Sequence, residues 1–145
     1  MLRYALLRHE CPDDYRDGPH WDLMLERPDV PYEHRLATWS LLDLPLSWSR
    51  CLGISFHDPT DQTNGVTTEE LPDHRAMYLD YEGPISANRG SVARAAGGTL
   101  EWVESMADTV SVQLDRESAL PFAIRIKRIR GSLWRLTTDE AIASR

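Results

Sequence analysis

The chain has 145 residues, 41% of them hydrophobic and 27% charged, which suits one globular domain that can bury a sizeable core without a disulfide scaffold. Its formal net charge of −7 argues against a protein that coats nucleic acid non-specifically, because phosphate affinity comes from clustered Lys and Arg. No apolar run approaches the ~20 residues of a membrane span, and Met1 to Leu7 is too short for a signal peptide, so the expectation is a cytoplasmic protein with no membrane partner and with Cys11 and Cys51 reduced.

In chain order, Arg3 to Arg8 reads as a first strand, followed by a polar loop from Glu10 to Pro19. Trp21 to Glu26 alternates: Trp21, Leu23 and Leu25 on one face, Asp22, Met24 and Glu26 on the other. Leu36 to Leu42 is a further strand, Pro45 to Arg50 a helical turn, and Leu52 to Phe56 a short apolar run. His57 to Pro72 is loop-like, with Asn64-Gly65 as a turn, and Arg75 to Tyr81 reads as a strand. Gly97-Gly98, between Ser91–Ala95 and Thr99–Val103, is a hairpin signal. Val110 to Leu114 alternates strictly. Phe122–Ile129 and Leu133–Thr137 flank a second hairpin turn at Arg130-Gly131, and Asp139 to Arg145 is a final helical turn or a fraying tail. Arg125, Lys127, Arg128 and Arg130 are expected on the solvent face of their strand. So many short strands favour a barrel or a sandwich, and periodicity leaves both open; a barrel holds a site in its interior or mouth.

The feature that carries chemistry is His20-Trp21-Asp22. Residues two apart on a strand project to the same side, so His20 and Asp22 stand together while Trp21 turns to the core. If the first two strands pair as an antiparallel hairpin, His9 lands opposite His20. Two imidazoles and a carboxylate can then hold a divalent metal and leave positions open for water or a phosphate oxygen. The bland reading is a hydrogen-bonded His–Asp pair. His74 and Tyr78 share a face if their segment is a strand, continued by Asp80 and Glu82; a histidine there can contact a phosphate or protonate a leaving oxygen. His34 and His57 read as surface residues. Cys11, close to His9, reads as a thiol or a further ligand.

Several segments together resemble a known family. Arg8-His9, Pro19-His20-Trp21-Asp22-Leu23-Met24-Leu25-Glu26, Ala37-Thr38-Trp39-Ser40, Asp73-His74 with Tyr78, Tyr81, Glu82 and Gly83, and Arg130-Gly131-Ser132-Leu133-Trp134 look, in order, like the 3′-phosphoesterase domain of bacterial DNA ligase D. The resemblance implies a mainly β fold, a small closed or partly open β-barrel with short flanking helical turns, spanning residues 1–145 as one divergent, stand-alone domain. It implies a metal-dependent hydrolase of DNA repair that removes a 3′-phosphate or 3′-ribonucleoside from nucleic-acid ends. His9, His20 and Asp22 would hold the divalent metal, manganese, with zinc or cobalt as alternatives, and His74 and Tyr78 would be catalytic. The implied partners are a nucleic-acid 3′ end or a small phosphoester, and a separate ligase or polymerase.

The chain departs from the family at the phosphate clamp. Met24 stands where the family has an arginine, Asp43 at or near a lysine, and Pro72 at a glutamate. Methionine cannot replace a bidentate guanidinium contact, and losing a contact of that type costs on the order of 10²–10³ in rate. Arg8, Arg75 and Arg89 are the candidates for replacement charge. The departures and the acidic net charge favour a second reading, a non-catalytic metal-binding or docking domain of a repair assembly. A third reading takes His20, Asp22 and His74 as the facial triad of a non-haem iron oxygenase, with His9 outside it.

Overall fold

The computed structural model describes residues 1–12, 18–53, 65–85, 89–115, 120 and 123–138. The elements are β1 (Arg3–Glu10), β2 (His20–Glu26), β3 (Leu36–Leu41), α1 (Leu46–Leu52), β4 (Gly65–His74), β5 (Gly83–Pro84), β6 (Ser91–Ser105), β7 (Thr109–Leu114), β8 (Ala123–Arg130) and β9 (Leu133–Thr138). Two 3-10 turns, Tyr32–His34 and Ala76–Leu79, complete them.

The strands follow the order β1-β2-β3-β4-β9-β8-β7-β6, and β6 pairs back onto β1. Eight antiparallel strands thus close a barrel, which removes the open sheet edge. The two-residue β5 adds to β6 outside this ring. No helix among the described residues is long and apolar enough to cross a membrane.

Alternation along each strand sorts side chains to two sides of the wall. One set fills the barrel: Tyr4 and Leu6 of β1, Leu23 and Leu25 of β2, Trp39 of β3, Val112 of β7, Ile126 of β8 and Trp134 of β9. Trp39 and Trp134 meet edge-to-face with centroids 5.7 Å apart, and Leu44 and Trp48, before and within α1, extend this core. The other set forms a second, smaller cluster. It joins Ala5 and Leu7 of β1, Met24 of β2, Leu36 of β3 and Val92 of β6, with Leu79 of the 3-10 turn packed upon them. The barrel is therefore sealed on this outer side too.

Four sequence expectations are corrected. Gly97-Gly98 is no turn but lies within the 15-residue β6, paired with Ala5 and Tyr4 of β1. A Cβ on Gly98 would crowd Asp115 Oδ2 and the Tyr4 ring, so these glycines mark a close approach rather than a reversal. Within the expected loop His57–Pro72, residues 65 onward form β4, between β3 and β9. Its sparse apolar content hid it. Thr68 is buried on its hydroxyl, which donates to the Ser40 carbonyl at 2.6 Å, and Pro72 sits where the pairing with β3 slips register. Arg75 to Tyr81 is not a strand: Ala76–Leu79 is a 3-10 turn, and Tyr78 and Tyr81, three apart, both pack toward the outer cluster. Leu52, expected to open an apolar run, ends α1; residues 54–64, with His57 and Asn64, and the tail 139–145 lie outside the described residues. The β8–β9 hairpin is as expected, and Arg125, Lys127, Arg128 and Arg130 are exposed.

Candidate metal centre

β1 and β2 pair in the register His9↔His20, Leu7↔Asp22, so the end of the hairpin brings His9, His20 and Asp22 together. All three belong to the outer face of the wall, the parity of Leu7 and Met24, and not to the barrel interior. The site therefore sits in a pocket outside the barrel, on the side opposite the core face of Leu23 and Leu25. His9, His20 and Asp22 are 5%, 1% and 4% exposed, and their donor atoms lie within 4.8 Å of one another.

Two backbone carbonyls set the rings. His9 Nε2 lies 2.7 Å from the Arg89 carbonyl, and His20 Nδ1 lies 2.8 Å from the Gly18 carbonyl. A carbonyl only accepts, so each of these nitrogens carries the hydrogen. In the neutral rings the other nitrogens, His9 Nδ1 and His20 Nε2, are then acceptors. They face the carboxylate of Asp22, at 3.6 Å from Oδ2 and 3.3 Å from Oδ1. Burial pushes the Asp22 carboxyl up; when the imidazoles of His20 and His9 are protonated, those same nitrogens carry hydrogens, and their hydrogen bonds and charge outweigh burial and hold the pKa down to about 2. Three lone-pair donors converging in a buried site, each imidazole oriented by a carbonyl behind it, fit a divalent cation.

Gly90 makes one of those carbonyls available. Its φ is +89°, and a Cβ there would collide with the Glu10 carbonyl, so only glycine lets the chain run against the end of β1 and set Arg89 behind His9.

The cluster lines an open pocket of about 300 Å³. His74 and Tyr78 line it as well, their rings edge-to-face with centroids 5.8 Å apart. His74 Nδ1 donates to the Pro72 carbonyl at 2.8 Å, which leaves Nε2 as its proton-exchanging atom. The face expected to continue from them is not continued. Asp80 pairs with Arg3 at 2.9 Å and with Arg94 at 3.7 Å, Glu82 is exposed, and neither lines the pocket, because the chain turns where a strand was expected.

No protein-family model matches the chain, and no curated protein is detectably similar to it.

The structure also sorts the candidate arginines. Arg75 and Arg89 line the pocket. Arg8 does not: it has the opposite parity to His9, stacks over Trp21 at 4.1 Å and pairs with Glu10 at 2.7 Å. Met24 is 1% exposed and lines the pocket beside Asp22, so an apolar side chain stands next to the cluster; Asp43 is exposed and lies away from it. Among the described residues, the donor group comprises His9, His20 and Asp22, without His74 or Cys11. That grouping is not the one an iron-oxygenase triad requires. His34 is exposed, and neither Cys11 nor Cys51 is in a disulfide. Leu71, Ile85 and Val92, which complete the apolar wall, were missed in the sequence; the β-branched Val66-Thr67-Thr68 was the only local sign of the strand that carries Leu71.

Proposed function

We propose that this protein is a metal-dependent phosphoesterase, similar to the 3′-end-processing domain of DNA ligase D, acting on a terminal phosphate of a nucleic-acid end or a related small phosphoester. One observation carries the reading. A cluster of two imidazoles and a carboxylate shares a single pocket with the His74–Tyr78 pair and two arginines.

A divalent cation such as manganese, when bound by His9, His20 and Asp22, supplies Lewis acidity toward a phosphoryl oxygen and a water. The chain's own residues do the rest. Asp22 stays ionised through the physiological range and offers a charged oxygen. The Arg89 and Gly18 carbonyls hold the ligand rings in one tautomer. His74, its Nδ1 hydrogen committed to Pro72, lines the same pocket, and in its protonated form Nε2 donates a proton to the leaving oxygen. The ring of Tyr78 fixes the plane of His74.

Purified protein with manganese should release inorganic phosphate from an oligonucleotide bearing a 3′-phosphate, and His20→Ala should abolish the release. Equal rates from the two proteins would sink the proposal.

Met24 supports a second reading, a non-catalytic metal-binding or docking domain, because a buried thioether beside the cluster offers a phosphate nothing. Stoichiometric metal binding with no phosphate release from any 3′ end favours that reading.

A further inference from the structure

We propose that Arg75 is the side chain that grips the anionic group in this pocket, and that the Arg27–Asp73 ion pair keeps Arg75 available for it. The inference rests on reading the pocket as a phosphoester site and assigns the cation that reads the phosphate.

The argument is one of charge sorting. The pocket wall holds two carboxylates, Asp22 and Asp73, and two guanidinium groups, Arg75 and Arg89. Asp22 is turned to its imidazoles. Asp73 is the carboxylate nearest in sequence to Arg75, two residues before it, and the backbone at Arg75 is extended, with φ −72° and ψ 147°. Two side chains so placed, both on the same pocket wall, would otherwise pair with each other.

They do not, because Arg27 takes Asp73. Its Nη1 donates to Asp73 Oδ2 at 2.8 Å, and both partners are about two-thirds shielded from solvent. Arg27 itself does not line the pocket. It follows β2, and its backbone N–H donates to the Arg35 carbonyl at 2.9 Å, which fixes the start of its side chain. Among the described residues Arg75 has no ion-pair partner, and it is exposed enough to turn onto an incoming anion.

Arg89 is less suited to this task. It is half-buried where Arg75 is exposed, and its carbonyl orients His9. Met24, Leu71, Ile85 and Val92 give the same pocket an apolar lining. A ligand with one anionic end and an uncharged organic body matches this division. A terminal phosphate monoester has that shape, and about 300 Å³ is the lower range for a small-molecule site.

The test measures binding, separately from turnover. Manganese-loaded protein is titrated with inorganic phosphate and with a 3′-phosphorylated thymidine dinucleotide, by calorimetry. Arg75→Gln is expected to weaken both ligands about 10- to 100-fold, the scale of one lost charge-assisted contact. Arg27→Gln, outside the pocket, is expected to weaken both about two- to fivefold by releasing Asp73 onto Arg75. The double variant Arg27→Gln/Asp73→Asn then regains wild-type affinity, since no loose carboxylate remains.

Three results overturn the inference: wild type that binds neither ligand, Arg75→Gln that binds as wild type does, or a loss in Arg27→Gln that persists in the double variant. The last would make Arg27 merely structural. Phosphate binding with this mutational pattern but no phosphate release from oligonucleotides sustains the inference and removes the proposed activity instead.

Discussion

His9 and His20 are direct cross-strand partners in the β1–β2 hairpin, with ring centroids 4.7 Å apart and planes tilted by 58°. Ten residues separate them in the chain, yet the strand register alone sets them side by side, with Asp22 two residues further on the same face. Each ring is backed by a main-chain carbonyl, so their orientation is settled by backbone and not by packing chance.

The proposed metal site can be tested through its ligands. His20→Ala removes one of three donors, and metal affinity is expected to fall by at least about 100-fold, beyond the range seen for changes in supporting residues alone. Isothermal titration with manganese checks this. Retained stoichiometric binding in the variant refutes the assigned ligand set.

Chelation should be visible in stability. A metal at 100 times its dissociation constant adds about 2.7 kcal/mol to the folded state, which corresponds to about 5–10 °C in Tm for a domain of this size. Thermal melts with manganese, and after EDTA, should differ by that amount in wild type and coincide in Asp22→Asn.

The pH dependence has a defined sign. The folded-state pKa of Asp22 is lowered to about 2, below its ordinary value near 3.8. A depressed carboxyl contributes stability in full above its unfolded value and loses it as pH falls through the folded one. In metal-free protein, the stability difference between wild type and Asp22→Asn should therefore shrink between about pH 4 and pH 2. A difference that grows over this interval contradicts the assignment.

Met24 offers a gain-of-function test. Met24→Arg places a guanidinium beside Asp22 in the pocket wall, at the cost of packing against the outer cluster. Phosphate affinity should rise about tenfold, while stability falls by about 1–3 kcal/mol. Phosphate titration and urea denaturation read the two effects separately. If affinity drops, the phosphate does not sit beside Asp22.

Catalytic roles should separate by size. His74→Ala is expected to lower kcat by about 10²–10⁴, the usual contribution of a positioned acid, and Tyr78→Phe, which keeps the ring against His74, by less than about tenfold. A Tyr78→Phe loss as large as that of His74→Ala would assign the tyrosine hydroxyl to the chemistry itself.

Much of the hairpin end of the site was legible without coordinates. Alternation in Trp21 to Glu26 places Asp22 and His20 on one side, and antiparallel pairing of neighbouring strands places His9 opposite His20. The same local rules identify the β8–β9 hairpin. Glycines and polar strands misled for a common reason. Gly97-Gly98 is a close approach to Tyr4, and β4 buries Thr68 through a hydroxyl bond to Ser40, both set by partners far away in the chain.

By itself, then, the sequence determined a β-rich chain whose His9, His20 and Asp22 project together, because a period of two is a local property of extended backbone. Alternation also put them on the side away from the core face of Trp21, Leu23 and Leu25, but did not determine whether that side was solvent or a second buried layer. Closure of β6 onto β1 made Tyr4 and Leu6 the interior, and packing of Leu79 on Ala5 and Leu7 turned the opposite face into a second buried layer with a pocket. Only the tertiary structure decided that Arg75 enters that pocket while Arg8 stacks on Trp21 and Arg27 holds Asp73, since those contacts join segments as much as 46 residues apart.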